Sequence, residues 1–317
     1  MEFEIVTSSD NGLEKLVLRN PQEGCSAEIL PAYGAMLHAF IINTPNGPHN
    51  VIDNYAGVAA IEKELDTSFK SSKLSPFVCR IPNGKYLYDG ETFELQKKFL
   101  DGSAIHGLLY NKPFKKFSQF ADEERASVAL RYHYKEEDDG YPFDYTCEIR
   151  YTLLPNNTLQ LQTTVTNLDD LEIPVCDGWH PYFTLGGDID DLQLYFGANA
   201  ILEFDERLVP TGRLLPYDAF ASERTIADTR LDNCFVLNGD DSYAACTLRN
   251  PANGLQLNIF PDINYPFLQV FTPDHRKSIA IENLSGAPDA FNNKMGLIML
   301  PPRHTQTFTV HYQLSCQ

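Results

Sequence analysis

Basic residues are scarce in this sequence. Lys and Arg number 25 against 43 Asp and Glu, which gives a formal net charge of −18 at pH 7. A surface of that sign repels nucleic-acid phosphates and anionic lipid head groups. We therefore expect neither nucleic acid nor membranes among the partners.

Long apolar runs and a basic leader segment are also lacking. No uninterrupted apolar stretch approaches the roughly 18 residues that suggest a transmembrane helix. Residues 1–6 include two glutamates and no basic residue, unlike the start of a secretory signal peptide. These features predict a soluble cytoplasmic protein.

The cysteines lack the spacing of a disulfide framework or a zinc site. There are seven, an odd number, and they are dispersed without a C-x-x-C pair. His-x-His, His-Glu-x-x-His, glycine-rich phosphate loops and Gly-x-Ser-x-Gly are absent from the sequence as well. We expect reduced core thiols, no metal and no cofactor.

Apolar residues that recur at every second position dominate the chain. Such alternation is typical of a strand with one buried face. It is found in residues 128–134, 145–153, 159–165, 255–259 and 308–314.

Between these runs lie turn sequences such as Asp89-Gly90, which predicts a hairpin over residues 86–95. The one helix candidate runs from Tyr55 to Leu65.

No composition break or linker divides residues 1–317, and no fixed-period repeat occurs. Many strands in one uninterrupted span predict an all-β fold, a single large antiparallel β-sandwich domain with little helix. The oligomeric state is expected to be a monomer or a homodimer.

Glu282 is the first candidate for chemistry. It follows the apolar run 279–281 and precedes a Gly-Ala-Pro-Asp turn, so its carboxylate lies at the end of a buried strand. Desolvation there raises a carboxylate's pKa, which is one way to prepare a general base. An ion-paired strand-end glutamate is the alternative interpretation.

His180 is the second candidate. It lies between the only tryptophan and Pro181-Tyr182-Phe183, where a partly desolvated imidazole can donate or accept a proton near neutral pH. A hydrogen-bonded core histidine is the alternative. His106, in an Ile-His-Gly turn, has the same two interpretations.

Five segments, taken in chain order, resemble the signature segments of the aldose 1-epimerase family. They are Ser75 to Tyr86, Ile105-His106-Gly107, Trp179 to Phe183, Leu231 to Phe235, and Ile281 to Asn292. The resemblance covers nearly the whole chain. In the galactose-mutarotase form of the first segment an asparagine precedes the arginine, whereas this chain has Cys79 before Arg80.

The resemblance implies a galactose mutarotase-like supersandwich and an isomerase that interconverts the α and β anomers of a hexose through ring opening, without a cofactor. It also implies that Glu282 is the general base and His180 the general acid. Arg80, His106 and Asp232 would bind the hydroxyls of the sugar substrate.

Three alternatives stay open at this point. A glycoside hydrolase would use Asp232 and Glu282 as its carboxylate pair. A non-catalytic sugar-binding protein would use the same fold and hydroxyl-binding residues. A hexose-6-phosphate mutarotase would need clustered cations, for which the candidates are Arg80, Lys85, Lys73 and Arg207.

Overall fold

The computed structural model describes residues 2–239 and 243–316, which form mainly antiparallel strands. In chain order the first strands are β1 Glu4–Asp10, β2 Leu13–Asn20, β3 Cys25–Leu30, β4 Met36–Thr44, β5 Gly47–Asn50, β6 Ser72–Leu74, β7 Arg80–Ile81, β8 Lys85–Tyr88, β9 Glu91–Glu94 and β10 Ala104–Ile105. Next come β11 Lys115–Ala121, β12 Ala126–Lys135, β13 Asp144–Leu154, β14 Thr158–Asn167, β15 Ile173–Val175, β16 Gly178–His180, β17 Tyr182–Phe183, β18 Gln193–Phe196 and β19 Ala198–Phe204. The last are β20 Pro210–Pro216, β21 Arg224–Thr225, β22 Asp232–Leu237, β23 Cys246–Arg249, β24 Leu255–Pro261, β25 Phe267–Phe271, β26 Ile279–Leu284, β27 Ile298–Leu300 and β28 Thr305–Cys316.

The largest sheet has nine strands in the order β11-β12-β13-β14-β28-β24-β23-β18-β21. The five segments of alternating hydrophobicity become β12, β13, β14, β28 and β24, which are adjacent in this sheet. The prediction of strands at these places is confirmed. Along β13 the side chains that face the core are fully buried: Tyr145, Cys147, Ile149, Tyr151 and Leu153.

A second sheet has the order β20-β19-β22-β25-β26-β16-β6, with β17 also paired to β26. It packs face to face on the nine-stranded sheet. The Trp179 indole donates to Thr163 Oγ1 at 3.3 Å, and the Phe183 and Tyr312 rings lie 5.5 Å apart. The predicted antiparallel sandwich is therefore confirmed, with its core between these two sheets.

Smaller sheets cover the sandwich. The strands β1 to β5 form an antiparallel sheet in chain order, and two-stranded pairs join β7 with β10, β8 with β9, and β15 with β27. The β8–β9 pair is the predicted hairpin, with Asp89 and Gly90 at positive φ in its turn.

Helix is a minor component. The first helix, α1, spans Val58–Ser68, and the second, α2, spans Ala290–Asn293. The predicted start at Tyr55 is wrong by three residues, because Gly57 is extended and lies before the first turn. The helix ends at Ser68, three residues after the predicted end at Leu65, and the left-handed φ of 51° at Phe69 turns the chain toward β6. Within the described ranges, no helix is long and apolar enough to cross a membrane.

The core between the sheets contains an ion pair. Lys73 Nζ lies 2.5 Å from Asp177 Oδ2, and both side chains are fully buried. Lys73 also donates to Thr163 Oγ1 at 3.1 Å and lies 4.5 Å from the centre of the Trp179 ring. The Tyr265 hydroxyl donates to Asp177 Oδ1 at 2.6 Å. These contacts tie β6 and the start of β16 to β14 in the opposite sheet.

Candidate active site

One row of side chains crosses four neighbouring strands of the eight-stranded sheet. Cys234 on β22 is paired with Gln269 on β25, which is paired with Glu282 on β26. His180 on β16 continues the row, with its Nε2 atom 3.3 Å from Glu282 Oε1. Successive strand residues point to opposite faces. Since Trp179 faces the core, this row lies on the face turned away from the nine-stranded sheet.

A parallel row lies beside the first one. The strand register places Asp232 opposite Phe271, and Phe271 opposite Ala280, which also pairs with Tyr182. The Tyr182 ring stacks on the His180 ring with centres 5.0 Å apart. The two rows together form a floor that is polar in the middle and apolar on one side.

Arg80 and His106 reach this floor from the short β7–β10 pair. Arg80 is directly opposite Ile105 in that pair, and His106 follows in the left-handed conformation with φ of 61°. The backbone N–H of His106 donates to the carbonyl of Cys79 at 2.8 Å. This turn brings the His106 ring edge-on to His180, with centres 4.9 Å apart.

A cavity of about 270 Å³ lies above the floor. It is near the lower limit of small-molecule pockets, about 300 Å³, which suits a ligand of single-ring size. All five residues singled out from the sequence line it, namely Arg80, His106, His180, Asp232 and Glu282. The remaining lining residues are Thr67, Ser68, Phe69, Cys79, Ile105, Tyr182, Phe204, Leu208, Gln269, Phe271 and Pro288.

Burial acts in opposite directions on the two central groups. Desolvation raises the pKa of Glu282 well above its ordinary value, and the nearby Asp232 carboxylate adds to the rise. Desolvation lowers the pKa of His180 to about 4. In the free protein both side chains therefore favour their neutral forms. The Glu282 carboxyl group keeps its proton, and the His180 ring does not take up a second one.

Two further ionisable groups that line the cavity, His106 and Asp232, also have shifted pKa values. Burial lowers the pKa of His106 well below the usual range, with further lowering from His180 and Arg80. Burial raises the pKa of Asp232, opposed by a hydrogen bond from Gln269 and by the charge of Arg80. A cluster of shifted groups around one cavity is typical of active sites.

Several buried polar atoms around the cavity have no hydrogen-bond partner among the described residues. They are Glu282 Oε2, His180 Nδ1, His106 Nδ1 and Gln269 Oε1. Buried polar atoms are nearly always paired in folded proteins, so a group of unpaired ones marks a place prepared for a polar ligand.

Gln269 is a site residue that the sequence analysis missed. Its amide donates to Asp232 Oδ1 at 2.9 Å, and its place between Cys234 and Glu282 follows from strand pairing. The sequence contained one signal, an amide side chain inside the apolar run Phe267 to Phe271. Strand pairing was needed to show where that side chain lies.

Of the four cations considered for a phosphate group, Arg80 and Arg207 line an adjoining cavity of about 280 Å³, and the other two lie elsewhere. Lys73 is in the core with Asp177, and Lys85 pairs with Glu94 at 3.1 Å. Arg80 forms an ion pair with Asp101, and Arg207 lies 3.6 Å from a carboxylate oxygen of Asp205. Among the described residues that line the cavity above the floor, Arg80 is the single cationic side chain.

The arrangement of the sheets defines a class of fold, and comparison with solved structures identifies the same class of fold. The galactose 1-epimerase of Lactobacillus acidophilus NCFM superposes with a TM-score of 0.82 at 21% identity, covering 99% of this chain and 98% of that one. A galactose mutarotase-like protein from Clostridium acetobutylicum superposes with a TM-score of 0.88 at 15% identity, covering 100% and 99%. The fold is galactose mutarotase-like.

The sequence model of the family described as Aldose 1-epimerase matches residues 14–313, and the chain belongs to this family of isomerases. It is 26% identical over 292 residues to the Uncharacterized protein YihR of Escherichia coli (strain K12), covering 87% of this chain and 90% of that one. It is 25% identical over 262 residues to the Aldose 1-epimerase of the same organism, covering 76% and 73%.

Proposed function

We propose that this protein is an aldose 1-epimerase that interconverts the α and β anomers of a hexose. The observation that carries the proposal is the pair formed by His180 Nε2 and Glu282 Oε1, 3.3 Å apart at the floor of a cavity of single-ring size. Anomer exchange needs a proton donor and a proton acceptor beside one C1–O5 unit, and this pair supplies both.

The reaction opens the hemiacetal and closes it again. The base removes the proton of the C1 hydroxyl, the acid protonates the ring oxygen O5, and the C1–O5 bond breaks to leave an aldehyde. Rotation about C1–C2 presents the other carbonyl face. O5 then attacks C1 while the two groups exchange their roles, so no net proton is gained or lost. In this proposal Glu282 acts as the base and His180 as the acid in ring opening.

The proton must reach His180 before ring opening begins. In the free protein it is favoured on Glu282, because burial penalises both charged forms. Sugar hydroxyls that donate hydrogen bonds to Glu282 stabilise its ionised form. We infer that substrate binding transfers the proton across the 3.3 Å separation and so prepares the pair for the reaction.

The other polar residues hold the sugar in place. Arg80 and His106 donate to ring hydroxyls, and Asp232, held by Gln269, accepts from two adjacent hydroxyls. Phe271 beside them offers an apolar surface for one face of the ring.

A neutral hexose fits this site better than a hexose 6-phosphate. A phosphate group calls for clustered cations that are free to bind it, whereas Arg80 and Arg207 beside the cavity are already paired with Asp101 and Asp205. The proposal also includes a reducing compartment such as the cytoplasm, since all seven cysteines are free and six are buried.

Polarimetry tests the proposal. Freshly dissolved α-D-glucose and α-D-galactose are followed with the wild-type protein, with Glu282→Gln and with the surface control Glu91→Gln. We expect wild type and control to accelerate the decay of optical rotation, and Glu282→Gln to lose roughly 10²- to 10⁴-fold of that rate. Sugar binding without any acceleration would instead identify a binding protein, and release of nitrophenol from nitrophenyl glycosides would identify a hydrolase.

A further inference from the structure

Three side chains with metal-ligating atoms converge at the floor of the cavity. One ligand atom each from His106, His180 and Glu282 lies within 4.8 Å of the other two. His180 Nε2 and Glu282 Oε1 are the closest contact, at 3.3 Å. The three residues come from separate segments, so the ligand-spacing patterns searched for in the sequence do not detect them.

The separations suit a tetrahedral ion after one small movement. Two ligand atoms at 2.0–2.1 Å from Zn²⁺ in tetrahedral geometry lie about 3.4 Å apart. His180 and Glu282 already have that separation. His106 would have to approach by at most about 1.4 Å, and it follows β10 of the short β7–β10 pair, outside the two large sheets.

The surroundings favour a cation at this place. Glu282 and His180 contact each other through Oε1 and Nε2, whereas Glu282 Oε2 and His180 Nδ1 are buried and have no partner among the described residues. Asp232 adds a second carboxylate to the same cavity, while the charge of Arg80 is balanced by Asp101. A chain of net charge −18 also raises the local concentration of cations.

We propose that His106, His180 and Glu282 form an inhibitory binding site for a transition-metal ion of the Zn²⁺ class. Two imidazoles and one carboxylate are ligands that Zn²⁺, Co²⁺ and Ni²⁺ accept, whereas Mg²⁺ and Ca²⁺ require oxygen ligands. The ion occupies the lone pairs that proton transfer needs and the space of the C1–O5 unit, so it competes with the sugar. The inhibition rests on the proposed function, but the binding does not.

Calorimetry of the EDTA-treated full chain tests the binding without any assay of turnover. We expect ZnCl₂ to bind at one ion per chain and MgCl₂ not to bind at the same concentrations. His106→Gln and Glu282→Gln should each weaken Zn²⁺ binding at least tenfold. Circular dichroism of both variants verifies that they are folded.

The matched control is His133→Gln, because the exposed His133 Nε2 lies 2.6 Å from Asp144 Oδ1 and is the competing surface chelator. That variant should bind Zn²⁺ as wild type does. Loss of binding in His133→Gln, or wild-type binding in both active-site variants, would overturn the proposal.

Competition with sugar completes the test. Saturating galactose should weaken Zn²⁺ binding in calorimetry, and Zn²⁺ should raise the KM of mutarotation without lowering its kcat, with reversal by EDTA. A protein that binds Zn²⁺ competitively with sugar but shows no mutarotation would remove the proposed function and keep the site. Simultaneous binding of sugar and Zn²⁺ would remove the inhibitory site.

Discussion

At the scale of the residue, the central feature is one proton shared by two groups. Burial raises the pKa of Glu282 and lowers that of His180 to about 4, so the pair keeps a single proton over a wide pH range. Groups this close titrate in two steps that belong to the pair rather than to either residue. The single-proton state is the one that contains both a donor and an acceptor.

The pH dependence of kcat/KM follows from these shifts. As pH falls through about 4, His180 takes up a second proton and the acceptor is lost. As pH rises through the raised pKa of Glu282, the shared proton leaves and the donor is lost. We expect polarimetric kcat/KM to be level near neutrality and to fall on the acid side around pH 4, with circular dichroism verifying the fold at each pH. An acid limb near the ordinary histidine value of about 6.5 would contradict this.

Gln269 gives a second prediction at this scale. Gln269→Leu removes the hydrogen bond to Asp232, so the carboxylate that binds the sugar is no longer held in position. We expect KM to rise about tenfold, equivalent to about 1.4 kcal/mol, with a smaller change in kcat. Gln162→Leu, on the opposite sheet, is the matched control and should leave both constants unchanged. An equal fall in kcat and kcat/KM would place Gln269 in the chemical step instead.

The sequence indicated some of these residues and not others, for physical reasons. Glu282 and His180 were evident because ionisable side chains next to apolar strand runs stand out. Gln269 was not, because its position depends on which strands are neighbours. Which of the two groups holds the shared proton depends on how deeply each side chain is buried. The neighbouring residues in the sequence do not reveal that burial.

At the scale of the element, the turn after β10 decides where His106 lies. Gly107 has φ of 77°, and a Cβ added there would lie 2.6 Å from the backbone nitrogen of Ser75. Backbone cannot move aside as the end of a flexible side chain can. The close approach of these two segments therefore requires glycine.

Gly107→Ala tests this requirement. We expect the free energy of unfolding to fall by about 3 kcal/mol, the sum of left-handed strain and overpacking, and mutarotation to fall with it as His106 is displaced. Gly90→Ala is the control, since it has φ of 81° in the β8–β9 turn and nothing within 4 Å of the added Cβ. It should cost about 1 kcal/mol in urea titration and leave activity intact. Equal losses in both variants would mean that the contact with Ser75 is unimportant.

The positions of the strands could be predicted from the sequence, but the pairing between strands could not. The alternation of residues 145–153 places β13 correctly, because one face is buried and the other is wet. That β14 lies beside β28, far along the chain, depends on contacts between distant residues. The start of α1 was misplaced because Gly57 ends the extended segment rather than joining the helix.

At the scale of the whole molecule, the Lys73–Asp177 ion pair links the two large sheets. It is fully buried, and its atoms contact Thr163 on one side and Tyr265 on the other. Removing one member of such a pair leaves an uncompensated charge in the core. Replacing all the members by apolar residues of similar volume avoids that penalty.

A set of variants measures the contribution of this pair. Lys73→Met should lower the free energy of unfolding by about 3–5 kcal/mol in urea titration. Adding Asp177→Leu and Tyr265→Phe to it should restore most of the loss, because no unpaired charge then remains in the core. If the triple variant is as unstable as Lys73→Met, the contacts of the ion pair determine the stability, and the unpaired buried charge does not.

Trp179 gives the sandwich an optical readout of its own. It is the only tryptophan in the chain, it is buried between the sheets under the Lys73 ammonium, and it immediately precedes His180. The whole indole fluorescence therefore comes from one known position, so separation of the sheets appears as a red shift without any added label.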